Sequence, residues 1–134
     1  MTNEAATAAG AILVTKDQLF ERADFLTIHL MLSDRTRGLV GAAELERMKP
    51  TARLINASRG PIVDEQALIS VLRNKQIAGA AIDVFDIEPL PPSHPFRTLD
   101  NVLATPHIGY VSDGLYKTFY EDTVSNIRQW LDTH

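Results

Sequence analysis

The sequence predicts a layered α/β fold built around a parallel sheet. Short apolar runs rich in β-branched and small residues alternate with segments patterned as helices. One stretch, Leu54 through Glu65, reads as a buried strand that enters a polar loop and then a helix start. Three successive runs also end in, or lead directly to, an ionisable side chain, as ligand-binding strand ends do in open α/β sheets.

Taken in order, residues 2–9 are alanine-rich and predict a short helix stopped by Gly10. Residues 11–14, Ala-Ile-Leu-Val, predict a strand. Thr15 and Gln18 have the spacing of a capping box, so a helix begins there and ends near Ala23 and Asp24. Residues 25–30, Phe-Leu-Thr-Ile-His-Leu, form the next strand, followed by a polar loop over residues 33–37. The helix over residues 42–48 has to stop at Lys49, because Pro50 disfavours α geometry in the residue before it. Residues 53–57 are the strand that delivers Arg59, and Gly60-Pro61 then re-aims the chain.

A carboxylate at Asp64 or Glu65 opens the following helix, residues 65–74, where Ala67, Leu68, Val71 and Leu72 share one face. Residues 79–85 predict a buried strand whose small side chains permit close packing. The prolines in residues 88–92 make a stiff, extended loop. A last strand, residues 102–105, closes in Pro106-His107-Ile108-Gly109. A long helix over residues 113–131 carries Leu115, Phe119, Val124, Ile127 and Leu131 as an apolar stripe. The pattern contains no repeat, linker or low-complexity segment.

Composition narrows the function classes. With 134 residues, 45% hydrophobic and 22% charged, the chain has the length and make-up of one globular domain. A net charge of −4 without a basic run argues against a nucleic-acid surface. The absence of cysteine excludes disulfides, thiolate metal sites and a thiol nucleophile, and no metal site is predicted. No apolar run approaches the about 20 residues that span a bilayer, and the amino terminus lacks a basic-then-apolar leader. The expectation is a cytoplasmic protein with no membrane partner.

The chemistry is predicted at one sheet edge. The strand at Leu54 leads to Arg59, the strand at Ile82 leads through Asp83 to Glu88, and the strand at Leu103 leads to His107. Singly, each has an ordinary reading: a solvated loop arginine, a Glu-Pro turn, a loop histidine. Parallel strands place all three ends together, and that convergence favours a site. A guanidinium binds a carboxylate bidentately, a histidine passes a proton near neutrality, and a neighbouring carboxylate fixes its tautomer. The set suits keto–hydroxy redox chemistry on an acidic substrate, with hydride supplied by a nicotinamide.

Four motifs in order resemble the D-isomer-specific 2-hydroxyacid dehydrogenases: Met48 through Gly60 (MKPTARLINASRG), Gly79 through Phe85 (GAAIDVF), Glu88-Pro89-Leu90, and Asn101 through Gly109 (NVLATPHIG). The resemblance covers nearly the whole chain. It implies that Arg59 binds the substrate carboxylate and carbonyl, that His107 is the acid/base, and that Glu88 is its partner. It implies an NAD site in which Asp83 accepts from the nicotinamide carboxamide. Ala57, Ser58, Arg59, His107 and Gly109 would line the nicotinamide pocket, with His29 and Leu30 on the cofactor's other side.

Met31 departs from the proline that many members carry after the His-x pair. No G-x-G-x-x-G and no ribose-binding acidic residue precede the motifs, so NAD and NADP both stay open. The expected fold is therefore a partial Rossmann-type doubly wound sheet lacking its first two strands. Residues 1–134 would be the second part of an NAD-binding domain, without a substrate domain and inactive alone.

Two alternatives remain at this stage. One is a non-catalytic interaction or dimerisation module derived from the fold. The other is a formate dehydrogenase of the same fold, where a glutamine partners the histidine, so Glu88 counts against it. Losing two strands would also bare the edge from Phe25 to Leu30, which has no proline or lysine to protect it. That edge is expected to be covered by residues 11–14 or by another chain, pairing with a second copy giving a two-fold homodimer; the alternative is a chain poorly soluble on its own.

Overall fold

The computed structural model describes residues 2–133. Its centre is a sheet of four parallel strands in the order β1 (Phe25–Ile28), β2 (Arg53–Asn56), β3 (Gly79–Ile82) and β4 (Val102–Ala104). The helices are α1 (Asn3–Ala8), α2 (Lys16–Arg22), α3 (Ala42–Leu45), α4 (Glu65–Arg73) and α5 (Asp113–Thr133).

Register and pleat decide which face is core. Leu26, Leu54 and Ala80 lie side by side in the register, as do Ile28, Asn56 and Ile82, and all six are buried. The alternate row, Thr27, Ile55, Ala81 and Leu103, points the other way, and Leu103 is 66% exposed. Side chains alternate across a strand, so this sheet is buried on one face and open on the other. Against the buried face pack Phe20, Leu45, Met48, Leu68, Leu72 and Ile77. Burying each large apolar side chain is worth about 1.5–3 kcal/mol.

Local sequence explains the helix starts. Thr15 Oγ1 accepts from the Gln18 N–H at 3.2 Å while Gln18 Oε1 accepts from the Thr15 N–H at 3.1 Å, completing the capping box. Asp64 caps α4 by accepting from the Ala67 N–H at 3.0 Å. Beyond that cap, Leu68, Ile69, Val71 and Leu72 form the buried face of α4.

Four expectations need correction. Residues 11–14 are not a strand, and Ile12 is 78% exposed. A strand needs a neighbour for its N–H and C=O groups, and among the described residues the only strand paired with β1 is β2. The same fact removes residues 11–14 as a cover for the β1 edge. The helix at residue 42 ends at Leu45, where Arg47 and Met48 bond back three residues instead of four. The strands also stop early, at Ile28, Asn56, Ile82 and Ala104. These four residues stand side by side in the register, so each strand ends where its neighbour does. The long helix α5 forms over nearly the span expected, and none of its residues is buried.

Candidate active site at the carboxyl edge of the sheet

The common line of strand ends places the site. Just beyond it lie His29 and Leu30 after β1, Ala57 to Arg59 after β2, Asp83 after β3, and Thr105 to Gly109 after β4.

The loop after β2 is held from within. Asn56 is buried at the strand end, where its amide donates to the Arg59 carbonyl at 3.0 Å and its Oδ1 accepts from the Ser58 N–H at 3.1 Å. Ser58 Oγ donates to the Leu30 carbonyl at 3.1 Å, joining the ends of β1 and β2. Arg59 itself is exposed, and its Nη1 donates to the Ser58 carbonyl at 2.6 Å. The next residue has to be glycine: a Cβ at Gly60 would sit 2.3 Å from the Phe85 carbonyl carbon. The arginine loop therefore touches the backbone of the loop after β3 directly.

Asp83 organises the histidine loop. Its Oδ1 accepts from Thr105 Oγ1 at 2.6 Å and from the Ile108 N–H at 2.9 Å; its Oδ2 accepts from the Gly109 N–H at 2.8 Å. Burial pushes this carboxyl up, but those three donors outweigh it and hold it below the usual 3.8. Between the gripped residues, His107 adopts a left-handed φ of 55°. A non-glycine residue keeps that conformation when its surroundings over-determine it, and here Asp83 binds the loop on both sides.

His107 Nδ1 lies 2.8 Å from Glu88 Oε2, and the other oxygen, Oε1, accepts from the Phe85 N–H at 3.0 Å. Burial raises the Glu88 carboxyl, but His107 and the Phe85 N–H more than compensate and hold it below the usual 4.5. An ionised carboxylate only accepts, so Nδ1 carries the proton and Nε2 is left to take or give one. Beside the pair is a cavity of about 350 Å³ lined by Phe85, Glu88, Pro89, Leu90, Pro106 and His107. The arrangement can hold a small molecule against an oriented imidazole.

Of the residues singled out in the sequence, Glu88 and His107 meet directly, and Asp83 meets the backbone of Ile108 and Gly109. Ser58 meets Leu30. Arg59 makes no direct bond to Glu88 or His107, and His29 Nε2 bonds only Thr27 Oγ1, at 2.9 Å. Ala57 is exposed at the strand end. The sequence reading gave Asn56, Thr105 and Gly60 no part in holding these loops together. Asn56 and Thr105 had a usable signal, a polar residue closing an apolar strand. The close approach at Gly60 had none, because its partner lies in another loop. Among the described residues no group of His, Asp or Glu could hold a metal ion.

Residues 1–109 match the family model described as the D-isomer specific 2-hydroxyacid dehydrogenase NAD binding domain. The chain is 43% identical over 131 residues to a D-3-phosphoglycerate dehydrogenase from Synechocystis, covering 98% of this chain and 24% of that protein. It is 47% identical over 111 residues to a glyoxylate/hydroxypyruvate reductase B from Enterobacter agglomerans, covering 83% and 34%. The crystal structure of a phosphoglycerate oxidoreductase from Vibrio cholerae O395 superposes with a TM-score of 0.90 at 35% identity, covering 98% of this chain and 42% of that one. The chain thus spans about a quarter to two fifths of the length of these relatives.

Proposed function

The chain belongs to the D-isomer specific 2-hydroxyacid dehydrogenase family, within its NAD-binding domain, and on that premise we propose that it carries the proton-transfer machinery of a 2-hydroxy/2-keto acid dehydrogenase. The observation that carries the reading is the 2.8 Å His107–Glu88 pair at the carboxyl edge of the parallel sheet.

In this reading Arg59 leaves the Ser58 carbonyl and binds the substrate carboxylate through its two-pronged guanidinium. His107 Nε2 takes the hydroxyl proton as the hydroxy acid is oxidised and returns it in the reverse direction. Glu88 keeps the opposite nitrogen protonated and the ring in place. The residues present fit a nicotinamide: Asp83 Oδ2 has only the Gly109 N–H as partner, and Gly109 adds no side chain over it. His29, Leu30, Ala57, Ser58, Asp83 and Gly109, with Arg59 and His107, would line that site. When bound, the nicotinamide of NAD or NADP accepts or supplies the hydride.

The 134 residues act here as the second part of a cofactor domain, with the substrate domain lying outside them. Without a G-x-G-x-x-G turn, the pyrophosphate lacks its usual backbone donors at a helix start. Each such charge-assisted bond is worth about 1.5–3 kcal/mol, so the isolated chain binds NAD weakly and turns nothing over. A cytoplasmic setting belongs to the same reading. NMR titration with millimolar NAD should move signals at residues 29–30, 57–59, 83 and 107–109. Shifts absent there, or confined elsewhere, would overturn the site, and micromolar affinity by calorimetry would overturn the weak-binding part.

A second reading, a non-catalytic dimerisation module, is favoured by the open strand edge at Phe25 and by α5, whose apolar stripe is wholly exposed. Self-association without any NAD-dependent shift would support it instead.

A further inference from the structure

The loop that carries Glu88 is gripped near both ends by one side chain from another element. Glu65, the first residue of α4, accepts from His94 Nε2 at 3.0 Å through Oε1. Its Oε2 accepts from the Asp86 N–H at 3.5 Å, a long bond. The His94 and Glu65 side chains are only 13% and 16% exposed.

The histidine has no choice of tautomer. Its Nδ1 accepts from the Phe96 N–H at 3.2 Å, so the proton sits on Nε2 and is directed at Glu65. Its ring packs 4.9 Å from the buried Phe96 ring. Arg97 closes the same loop by donating to the carbonyls of Leu90, at 2.6 Å, and Pro91, at 2.9 Å. Residues 86–94 thus form an arch footed on α4, with Glu88 inside it. The footing follows directly on the Arg59 loop, whose Gly60 lies against the backbone of Phe85 and Asp86, where the arch begins.

We propose that Glu65 and His94 are positioning residues for the acid–base pair: they hold the arch so that Glu88 meets the Phe85 N–H and His107 together, and they tie that placement to the arginine loop. Neither one bonds His107 or Arg59. The inference rests on the reading of His107 and Glu88 as the acid–base pair.

The test is NMR on the 134-residue chain, following the Glu88 carboxylate carbon against pH and the His107 Nδ1–H signal. His94→Asn keeps an acceptor near the Phe96 N–H but falls short of Glu65, so it removes the strut and spares the cap. Glu65→Ala removes both grips, whereas Glu65→Gln keeps an acceptor for His94. His107→Ala is the reference for a Glu88 without its partner. The expected result is that His94→Asn and Glu65→Ala move the Glu88 midpoint upward, toward that of His107→Ala, and weaken the Nδ1–H signal. Glu65→Gln should restore most of both. A stabilising role alone would lower the melting temperature and leave these signals in place. If His107→Ala moves Glu88 but folded His94→Asn does not, the inference is wrong. If His107→Ala leaves Glu88 unmoved, the acid–base reading itself fails, and the inference with it.

Discussion

Asp83 accepts three hydrogen bonds at 2.9 Å or less while nearly buried, and that sets what its substitution costs. Asp83→Asn keeps the shape but turns an NH2 group toward a backbone N–H, leaving buried donors facing each other. The expected loss is about 1–3 kcal/mol, read as a lower melting temperature at neutral pH. The pH dependence has a definite sign. Asp83 and Glu88 are both held below their ordinary values in the folded chain, so the unfolded chain binds protons first. Their stabilisation is fully present above the ordinary values of 3.8 and 4.5 and is lost as pH falls through the lower folded ones. Melting temperature should therefore drop between about pH 5 and pH 3, and drop less steeply in Asp83→Asn. Parallel curves for the two proteins would show that Asp83 contributes no such linkage.

At the scale of elements, α4 and α5 are contrasting helices. In α4, Leu68, Ile69, Val71 and Leu72 are buried against the sheet, so its opening is tied to unfolding of the core. In α5 no residue of the 21 is buried, so it lacks the tertiary packing that supplies most helical stability in proteins. Hydrogen exchange should show α5 amides exchanging orders of magnitude faster than those of α4. Equal protection would mean that α5 is buried in solution. The helical period of α5 is plain in its sequence, and so is its apolar stripe. The cover for that stripe is not, because periodicity describes one face and says nothing of what meets it.

For the whole molecule, the decisive feature is that β1 is an outer strand with one side of its backbone unpaired. Phe-Leu-Thr-Ile carries none of the usual guards against pairing. Two such edges meeting about a two-fold axis would run antiparallel and satisfy each other's N–H and C=O groups. Light scattering across a dilution series should therefore show a dimer or larger species at high concentration. A monomer throughout would show that the edge is protected in some other way.

The sequence by itself determined the α/β class, the capping box at Thr15 and the start of α4, and it set ionisable residues at the strand ends, where the chemistry is proposed. These depend on period, caps and apolar runs, all local properties. It also implied the His107–Glu88 contact, because parallel strands bring their carboxyl ends together whatever the side chains do. Tertiary structure alone decided that residues 11–14 are no strand, since pairing needs a neighbour that no local pattern supplies. It alone placed the common line on which all four strands stop. It alone brought Gly60 against Phe85, Asp83 under the histidine loop, and Glu65 onto His94. Each of these joins residues about 25 or more positions apart, and such contacts exist only once the sheet has set the register.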